Sequence, residues 1–380
     1  MNAHVFIVDE ITFDLHLKYK FAGTGARDKQ ATFLTQSDTN SVHFSTEKNL
    51  VGMIADVSRI RKGDKIIFYL QATQKSQGTF YGIFEAASRA FFDENDDNNY
   101  LKDELSKGLS FRVLIETDEV FENGITEHEF LDELNGKMHP YQLCWSLIYR
   151  KLKGNRGCTM ITDYEYEEFY HKLKEKNRGK ALSGMNFAYD ARKKRIVENK
   201  TAYAYSGKRS DISIEKRMVQ KSERAQAFET HLQAYVLQNV DTTLLKELVL
   251  SIPNEKFWIG NEVACGVGMQ KIDILVKQES GNSVYVKVIE LKDEEPAEYI
   301  VKSQIPWYLK WVSEYMIPNY VGKQIFVQPC IIAKNTADAA MIETIKNTSL
   351  QVPNTIATIM STEYIGFEIK DGKIEFEKIL

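Results

Sequence analysis

Among the charged residues that interrupt two apolar stretches of the chain, three could act together: Asp273 in QKIDILVKQ, and Glu290 and Lys292 in SVYVKVIELK. Charge is unfavourable in a buried strand unless it is paired or used, so its placement there asks for a chemical reason. Side chains on a strand alternate with a period of two, so Glu290 and Lys292 share one face while Leu291 points to the other. The two stretches are joined by ESGN, a turn signal. They predict an antiparallel hairpin that gathers the three charges at one end. Two carboxylates, Asp273 and Glu290, are hard oxygen ligands for a divalent cation such as Mg2+, with Mn2+ as the alternative, and the backbone carbonyl of Leu291 offers a further oxygen. A cation held with open positions binds a phosphate and a water. Lys292 beside it can orient or help deprotonate that water and offset charge growing on the phosphate. These are the parts that phosphodiester hydrolysis needs.

The flanking segments predict what positions these residues. SERAQAFETHLQAYVLQNV places Ala225, Phe228, Leu232, Tyr235 and Val236 at helical spacing, with Ser222 as its cap and Glu229 on the helix. KFWIGNEVACG reads as a strand carrying Glu262. The run EEPAEYIVKSQIPWYLKWVSEYM reads as a long helix with Gln304 and Tyr308 one turn apart on one face. A strand, KQIFVQPCIIAK, and a helix from about Ala337 to Lys346 follow. A helix, three strands, a helix, a strand and a helix describe an α/β layer over residues 222–380.

In these features the C-terminal part resembles the PD-(D/E)xK nuclease superfamily, and within it the RecB-like, NucS-like branch. IDIL with VIELK matches the acidic strand and Glu-x-Lys strand, and Gln304 with Tyr308 matches the Gln-x-x-x-Tyr helix signature. The resemblance implies a metal-dependent DNA endonuclease in which Asp273, Glu290, Lys292 and Gln304 form the catalytic set. It also implies that Glu229 extends the metal site. An Asp and a Glu-x-Lys arise by chance in most chains of this length; the ordered flanking elements carry the resemblance. A solvated hairpin, or a nuclease fold kept only for binding, is the alternative.

The first part, residues 1–176, is strand-rich: HVFIVDEI, GDKIIFYLQ, GTFYGIFEAAS and LSFRVLIETDEV predict a curved, mostly antiparallel sheet or small barrel with helices. It resembles the EVE branch of PUA-like domains, on Gly63-Asp64 leading to Phe68-Tyr69 and on Gly82-Ile83-Phe84. That resemblance implies a pocket for a flipped, often modified, base. Asp9, Phe21, Tyr69 and Trp145 are the candidate walls, and each reads as readily as a core or strand-end residue. Residues 177–221 are basic and read as a linker, with Lys193, Lys194, Arg195, Lys208 and Arg209 as candidate contacts to a DNA backbone. The acidic run around Asp93 reads as a solvated loop rather than a calcium site.

The bulk properties bound these readings. A chain of 380 residues is long enough for two domains, and 43% hydrophobic with 27% charged residues is a globular composition. The net charge of −4 does not advertise a nucleic-acid partner, so any basic surface must be local. No apolar run reaches spanning length, and the first residues lack a secretory pattern, so no membrane partner is expected and a cytoplasmic location is. Cys144, Cys158, Cys265 and Cys330 are scattered, which argues for free thiols and against structural zinc. The histidines show no HExxH spacing and no GxSxG occurs, so zinc and serine hydrolase chemistry lack a signal. One cutting centre per chain leads to the expectation of a homodimer for double-strand cleavage. The combined expectation is a modification-dependent restriction endonuclease. Its rivals are a restriction or repair nuclease reading unmodified DNA, and a non-catalytic nucleic-acid binding module.

Overall fold

The computed structural model describes residues 2–25, 34, 44–93, 100–131, 139–144, 157–265 and 270–380. The chain divides into two compact units, residues 1–137 with 144–213 and residues 138–143 with 214–380.

The first unit begins with β1 (Ala3–Val8), a run of apolar and β-branched residues that is almost wholly buried. Asp9 then caps the helix Glu10–Tyr19: its carboxylate accepts from Thr12 N at 2.8 Å, and Thr12 Oγ1 accepts from Asp9 N at 3.0 Å. The chain returns through β2 (Phe21–Thr24) and the helix Phe44–Ser58 to β3 (Lys65–Leu70), which lies parallel to β1. Parallel neighbours need such a crossover. β4 (Thr79–Ala86), β5 (Phe91–Asp93), β6 (Phe111–Thr117), β7 (Ile125–Thr126) and β8 (Cys158–Ile161) complete the sheet, with β8 antiparallel to β1.

Along β6 the partners change. Its last residues pair with β4, whereas Phe111–Leu114 pair with β2 and Phe111–Arg112 also with β5. That change of partner curls the mixed α/β sheet into a half-barrel. Val5, Ile67, Tyr69 and Phe80 pack beneath the helix Asp163–Lys176, which contributes Phe169 and Leu173.

The segment expected as a linker is instead part of this unit up to Ser213. β9 (Phe187–Asp190) and β10 (Arg195–Glu198) form a hairpin tied down by Tyr189 N to Asp14 Oδ1 at 3.0 Å and Ile196 N to Glu122 O at 2.9 Å. β11 (Arg209–Ser210) pairs with β5. The physical reason is the aromatic content: Tyr189 packs on Phe13 and Tyr81, and Tyr205 on Phe21. These few anchors are diluted by basic residues in the sequence. Asp93 departs from its expected solvated setting as well, since it is fully buried and 3.1 Å from the equally buried Arg112.

The second unit is built on one mixed sheet in the order β12 (Phe257–Ala264), β13 (Lys271–Ser280), β14 (Ser283–Leu291), β15 (Gln324–Lys334), β17 (Glu363–Lys370), β18 (Lys373–Lys378), with β16 (Thr358–Ile359) on β15. The hairpin β13–β14 turns at Gly281, whose φ of +55° suits glycine. β14 and β15 are parallel and central, which is why Val286, Val288, Leu291 and Ile331 are all inaccessible to solvent.

Between β14 and β15 the chain crosses over through a π-helical turn, Ile300–Gln304, and the helix Ile305–Tyr315. Pro306 explains the widened turn. It donates no N–H and crowds the carbonyl four residues back, so the backbone opens just before it. A helix Ala339–Asn347, capped by Asp338, precedes β17. The helix expected from Ser222 is two helices, Glu215–Glu223 and Glu229–Asn239, broken where Ala225 takes φ +51°. Among the described residues no helix is long and apolar enough to cross a membrane.

Candidate functional site

The β13–β14 register pairs Ile274 with Ile289, so one step further along Asp273 stands opposite Glu290. Opposed residues share a face, which places two carboxylates side by side at the end of the hairpin. Leu291 donates its N–H to Asp273 Oδ2 at 2.8 Å. The Glu290 side chain is 2% exposed; its Oε1 lies 2.8 Å from Lys292 Nζ, while its Oε2 is buried without a hydrogen-bond partner among the described residues. Lys292 Nζ also reaches Glu229 Oε2 at 3.1 Å, and Glu229 is the most open of the group with 43% of its side chain exposed.

Glu229 is brought here by its helix, and the helix by Asp293. The Asp293 carboxylate accepts the N–H groups of both Phe228 and Glu229, satisfying donors that the helix N-terminus leaves open. One turn on, Gln233 Nε2 donates to the Asp273 carbonyl at 2.9 Å, and Gln233 Oε1 receives Asn261 Nδ2 at 3.4 Å. The sequence reading missed Asp293 and Gln233. The signal for Gln233 was its helical spacing from Glu229, and that for Asp293 its place directly after Glu-Leu-Lys.

The helix Ile305–Tyr315 closes another side. Gln304 Nε2 donates to Tyr308 Oη at 3.4 Å, and Gln304 Oε1 is buried without a partner among the described residues. Glu262 stays apart from the carboxylate pair, with Oε2 2.9 Å from Lys271 Nζ. Its φ of +44° interrupts β12–β13 pairing across from Asp273.

The electrostatics follow from this crowding. Burial and then the neighbouring Glu290 charge push the Asp273 carboxyl well above the usual carboxylate range, against the Leu291 N–H, which favours the ionised form. Burial also raises Glu229, against the pull of Lys292. For Lys292, burial works to lower its affinity for the proton, but the charges of Glu290, Glu229 and Asp273 outweigh it and hold the ammonium above its ordinary value. Burial, then Glu290 and Asp273, raise the Tyr308 phenol. Three carboxyl groups, Asp273, Glu290 and Glu229, thus share the single charge of the Lys292 ammonium. A divalent cation would add positive charge, and Asp273 and Glu290 are the residues that could hold one. Among the described residues no group of three or more His, Cys, Asp or Glu side chains is disposed to hold a metal ion. An ion here would therefore rest on this pair, a main-chain oxygen such as that of Leu291, and water, a set that suits Mg2+ because it keeps several waters.

The base-wall candidates are not brought together. Asp9 is a helix cap bound to Lys107 Nζ at 2.5 Å. Phe21 is fully buried under the Arg112 guanidinium, 4.9 Å from its ring centre. Tyr69 is 1% exposed and spends its hydroxyl on Glu127 Oε2 at 2.9 Å. Phe21 and Tyr69 thus do core work, because strand alternation turned them inward. Trp145 lies outside the described residues. Of the basic candidates, Lys193 and Lys194 stand exposed at the tip of the β9–β10 hairpin. Arg195 pairs with Glu122, Lys208 is exposed, and Arg209 lies over the Phe91 ring at 5.8 Å.

No family model matches the chain, and no curated protein does. Solved structures are similar to part of it. A hypothetical protein from Leishmania major shares 13% identity over 46% of this chain and 96% of its own, with a TM-score of 0.31. Human THYN1, in complex with 5-methylcytosine-containing DNA, shares 8% over 44% and 94%, with a TM-score of 0.25. PSPTO5229 from Pseudomonas syringae shares 12% over 44% and 97%, with a TM-score of 0.26. At these scores the likeness carries no argument about ligand or activity.

Proposed function

We propose that the protein is a metal-dependent DNA endonuclease whose second unit hydrolyses phosphodiester bonds at Asp273, Glu290 and Lys292. The observation that carries this reading is the opposed carboxylate pair, Asp273 and Glu290, with Lys292 Nζ 2.8 Å from Glu290 Oε1. The PD-(D/E)xK resemblance of the same residues, Gln304 included, agrees with it. When bound, Mg2+ or Mn2+ would polarise the scissile phosphate and lower the pKa of a water.

This chain's own groups have distinct tasks. Asp273 is held in place at both ends, by Leu291 N–H on its carboxylate and Gln233 on its carbonyl. Lys292 is kept protonated by its carboxylate neighbours, so it serves as a donor that orients water and steadies phosphate charge rather than as a base. Glu229, half open to solvent and with its proton affinity raised by burial, is the group placed to take a proton. Gln304 is tied to Tyr308 through its Nε2 at 3.4 Å and keeps a buried Oε1 without a partner among the described residues.

In the sharper form of the proposal the enzyme is a modification-dependent restriction nuclease, in which the first unit is an EVE-like reader of a flipped, modified base, and the enzyme acts as a homodimer. A binding module is the second reading. It is favoured by the Lys292 ammonium, which already neutralises both Glu229 and Glu290.

Incubation with Mg2+ and matched plasmids, unmodified or carrying modified cytosines, separates the readings. Cleavage of the modified plasmid alone is the expected result. Equal cutting of both removes modification dependence, and no cutting of either, with DNA affinity unchanged in Glu290→Ala, removes the nuclease.

A further inference from the structure

The helix that presents Gln304 and Tyr308 to the carboxylates carries a second face. Ser303 of the π turn and Trp307, Lys310 and Ser313 of this helix, with Asn354 and Thr355 from the segment before β16, line a groove of about 700 Å³. Trp307 is the notable wall. It is 43% exposed, although an indole usually buries its apolar surface. Its ring is nevertheless fixed, because Nε1 donates to the Cys265 carbonyl at 2.8 Å. Cys265 adjoins the carboxylates: burial first, and then also the Glu290 and Asp273 charges, push its thiol up to about 12. A flat aromatic wall, held rigid beside the cutting centre, meets the requirement for stacking a base at low entropic cost. Asn354 offers an amide and Thr355 and Ser313 offer hydroxyls, 3.1 Å apart, for base edges; the exposed Lys310 offers a cation for a phosphate, and Glu314 sets one carboxylate against it in the same lining.

We infer that this groove binds an unpaired nucleotide next to the scissile phosphate, with its base stacked on Trp307 and its phosphate at Lys310. The inference rests on the nuclease reading for the role of that strand, but strand binding is measured without cleavage. The probe is fluorescein-labelled (dT)12, titrated into the full chain in EDTA with anisotropy as the readout. Trp307→Ala is expected to weaken binding by about ten-fold or more, and Trp307→Phe by no more than about three-fold. Lys310→Ala should flatten the salt dependence by about 0.7 in slope, as loss of one single-strand phosphate contact does. Thermal midpoints close to wild type would show that the variants fold. Wild-type affinity in Trp307→Ala, or no binding of (dT)12 by the wild type, overturns the groove assignment. Trp307-dependent binding in a protein that cuts no plasmid under Mg2+ leaves the groove standing and removes the nuclease reading instead.

Discussion

Leu291 N and Asp273 Oδ2 lie 2.8 Å apart, so Asp273 of β13 is bound to the backbone between Glu290 and Lys292 at the end of β14. The bond separates two roles of Asp273. Asp273→Ala leaves a buried donor unpaired and is expected to lower stability by about 1–3 kcal/mol. Asp273→Asn keeps an acceptor for that donor and removes the repulsion from Glu290, so its urea midpoint should equal or exceed that of the wild type. Under the proposed function both variants lose plasmid cleavage. A destabilised Asp273→Asn would show that the carboxylate charge supports the fold.

Asp293 acts one step further from the chemistry. Its carboxylate holds the first turn of the Glu229–Asn239 helix, and hence Glu229 beside Lys292. Asp293→Ala should cost about 1 kcal/mol as a lost helix cap. Its cleavage rate should fall at temperatures where it is still folded, with Asp293→Asn milder on both counts. An Asp293→Ala protein of full activity would separate Glu229 from the reaction.

His16 gives the first unit a pH dependence. Its ring stacks on Phe68 at 5.5 Å and meets Phe21 edge-on at 4.7 Å, and neither ring nitrogen has a hydrogen-bond partner among the described residues. Burial first, and then the Arg112 charge, lower its pKa from 6.5 to about 3, with Lys107 acting in the same sense and Asp9 against. The unfolded chain therefore takes up a proton as pH falls below 6.5, while the folded chain does so only near 3. The contribution of His16 to stability is present above that window and lost as pH falls through it. His16→Phe should be more stable by about 1 kcal/mol at pH near 7, by removing unsatisfied polar atoms. The margin should widen towards about pH 4.5, read as paired urea midpoints. A margin that narrows on acidification would contradict the burial of a neutral ring.

Tyr69 offers a test of the base-wall expectation. Because its ring lies in the core and its hydroxyl on Glu127, Tyr69→Ala should cost about 3–5 kcal/mol, and Tyr69→Phe about 1 kcal/mol. Tyr69→Phe should leave any preference between modified and unmodified DNA unchanged in a competition assay. A changed preference would return Tyr69 to the pocket.

The exposed tip of the β9–β10 hairpin makes a separate prediction. Replacing Lys193 and Lys194 together by Glu should cost no more than about 1 kcal/mol: both side chains are exposed, the left-handed φ of Lys194 strains either residue alike, and the loss is the exposed Lys193–Asp190 pair turned to repulsion. If the tip touches DNA, affinity falls for every sequence alike and the salt slope shrinks. Unchanged affinity and slope would make it a plain turn.

The candidate site residues and the scaffold differed in how far they could be read in advance. Asp273, Glu290 and Lys292 were legible from their order on a turn-linked hairpin with matching flanking elements; charge in an apolar strand did not single them out, since Lys277 and Lys287 are buried in the same two strands. The spacing of Gln304 and Tyr308 was legible because helical periodicity puts such a pair on one face. The N-terminal wall candidates misled, because an aromatic at a strand end looks the same in sequence whether it faces a pocket or the core. Phe21 and Tyr69 both turned inward. The supposed linker misled in the opposite direction: its basic composition hid Tyr189 and Tyr205, whose rings tie it to the first unit.

By itself the sequence determined that the second unit is an α/β layer and that its β13–β14 hairpin carries two carboxylates and a lysine to one end. Those features follow from local periodicity, turn chemistry and spacing. Only the tertiary structure decided that Asp293 and Gln233 hold the site, that Lys292 lies between Glu290 and Glu229, and that Trp307 stands rigid in a groove beside it. Those relations join residues distant in the chain. They depend on strand register, helix entry and the π turn ahead of Pro306, which are settled by packing rather than by any local pattern.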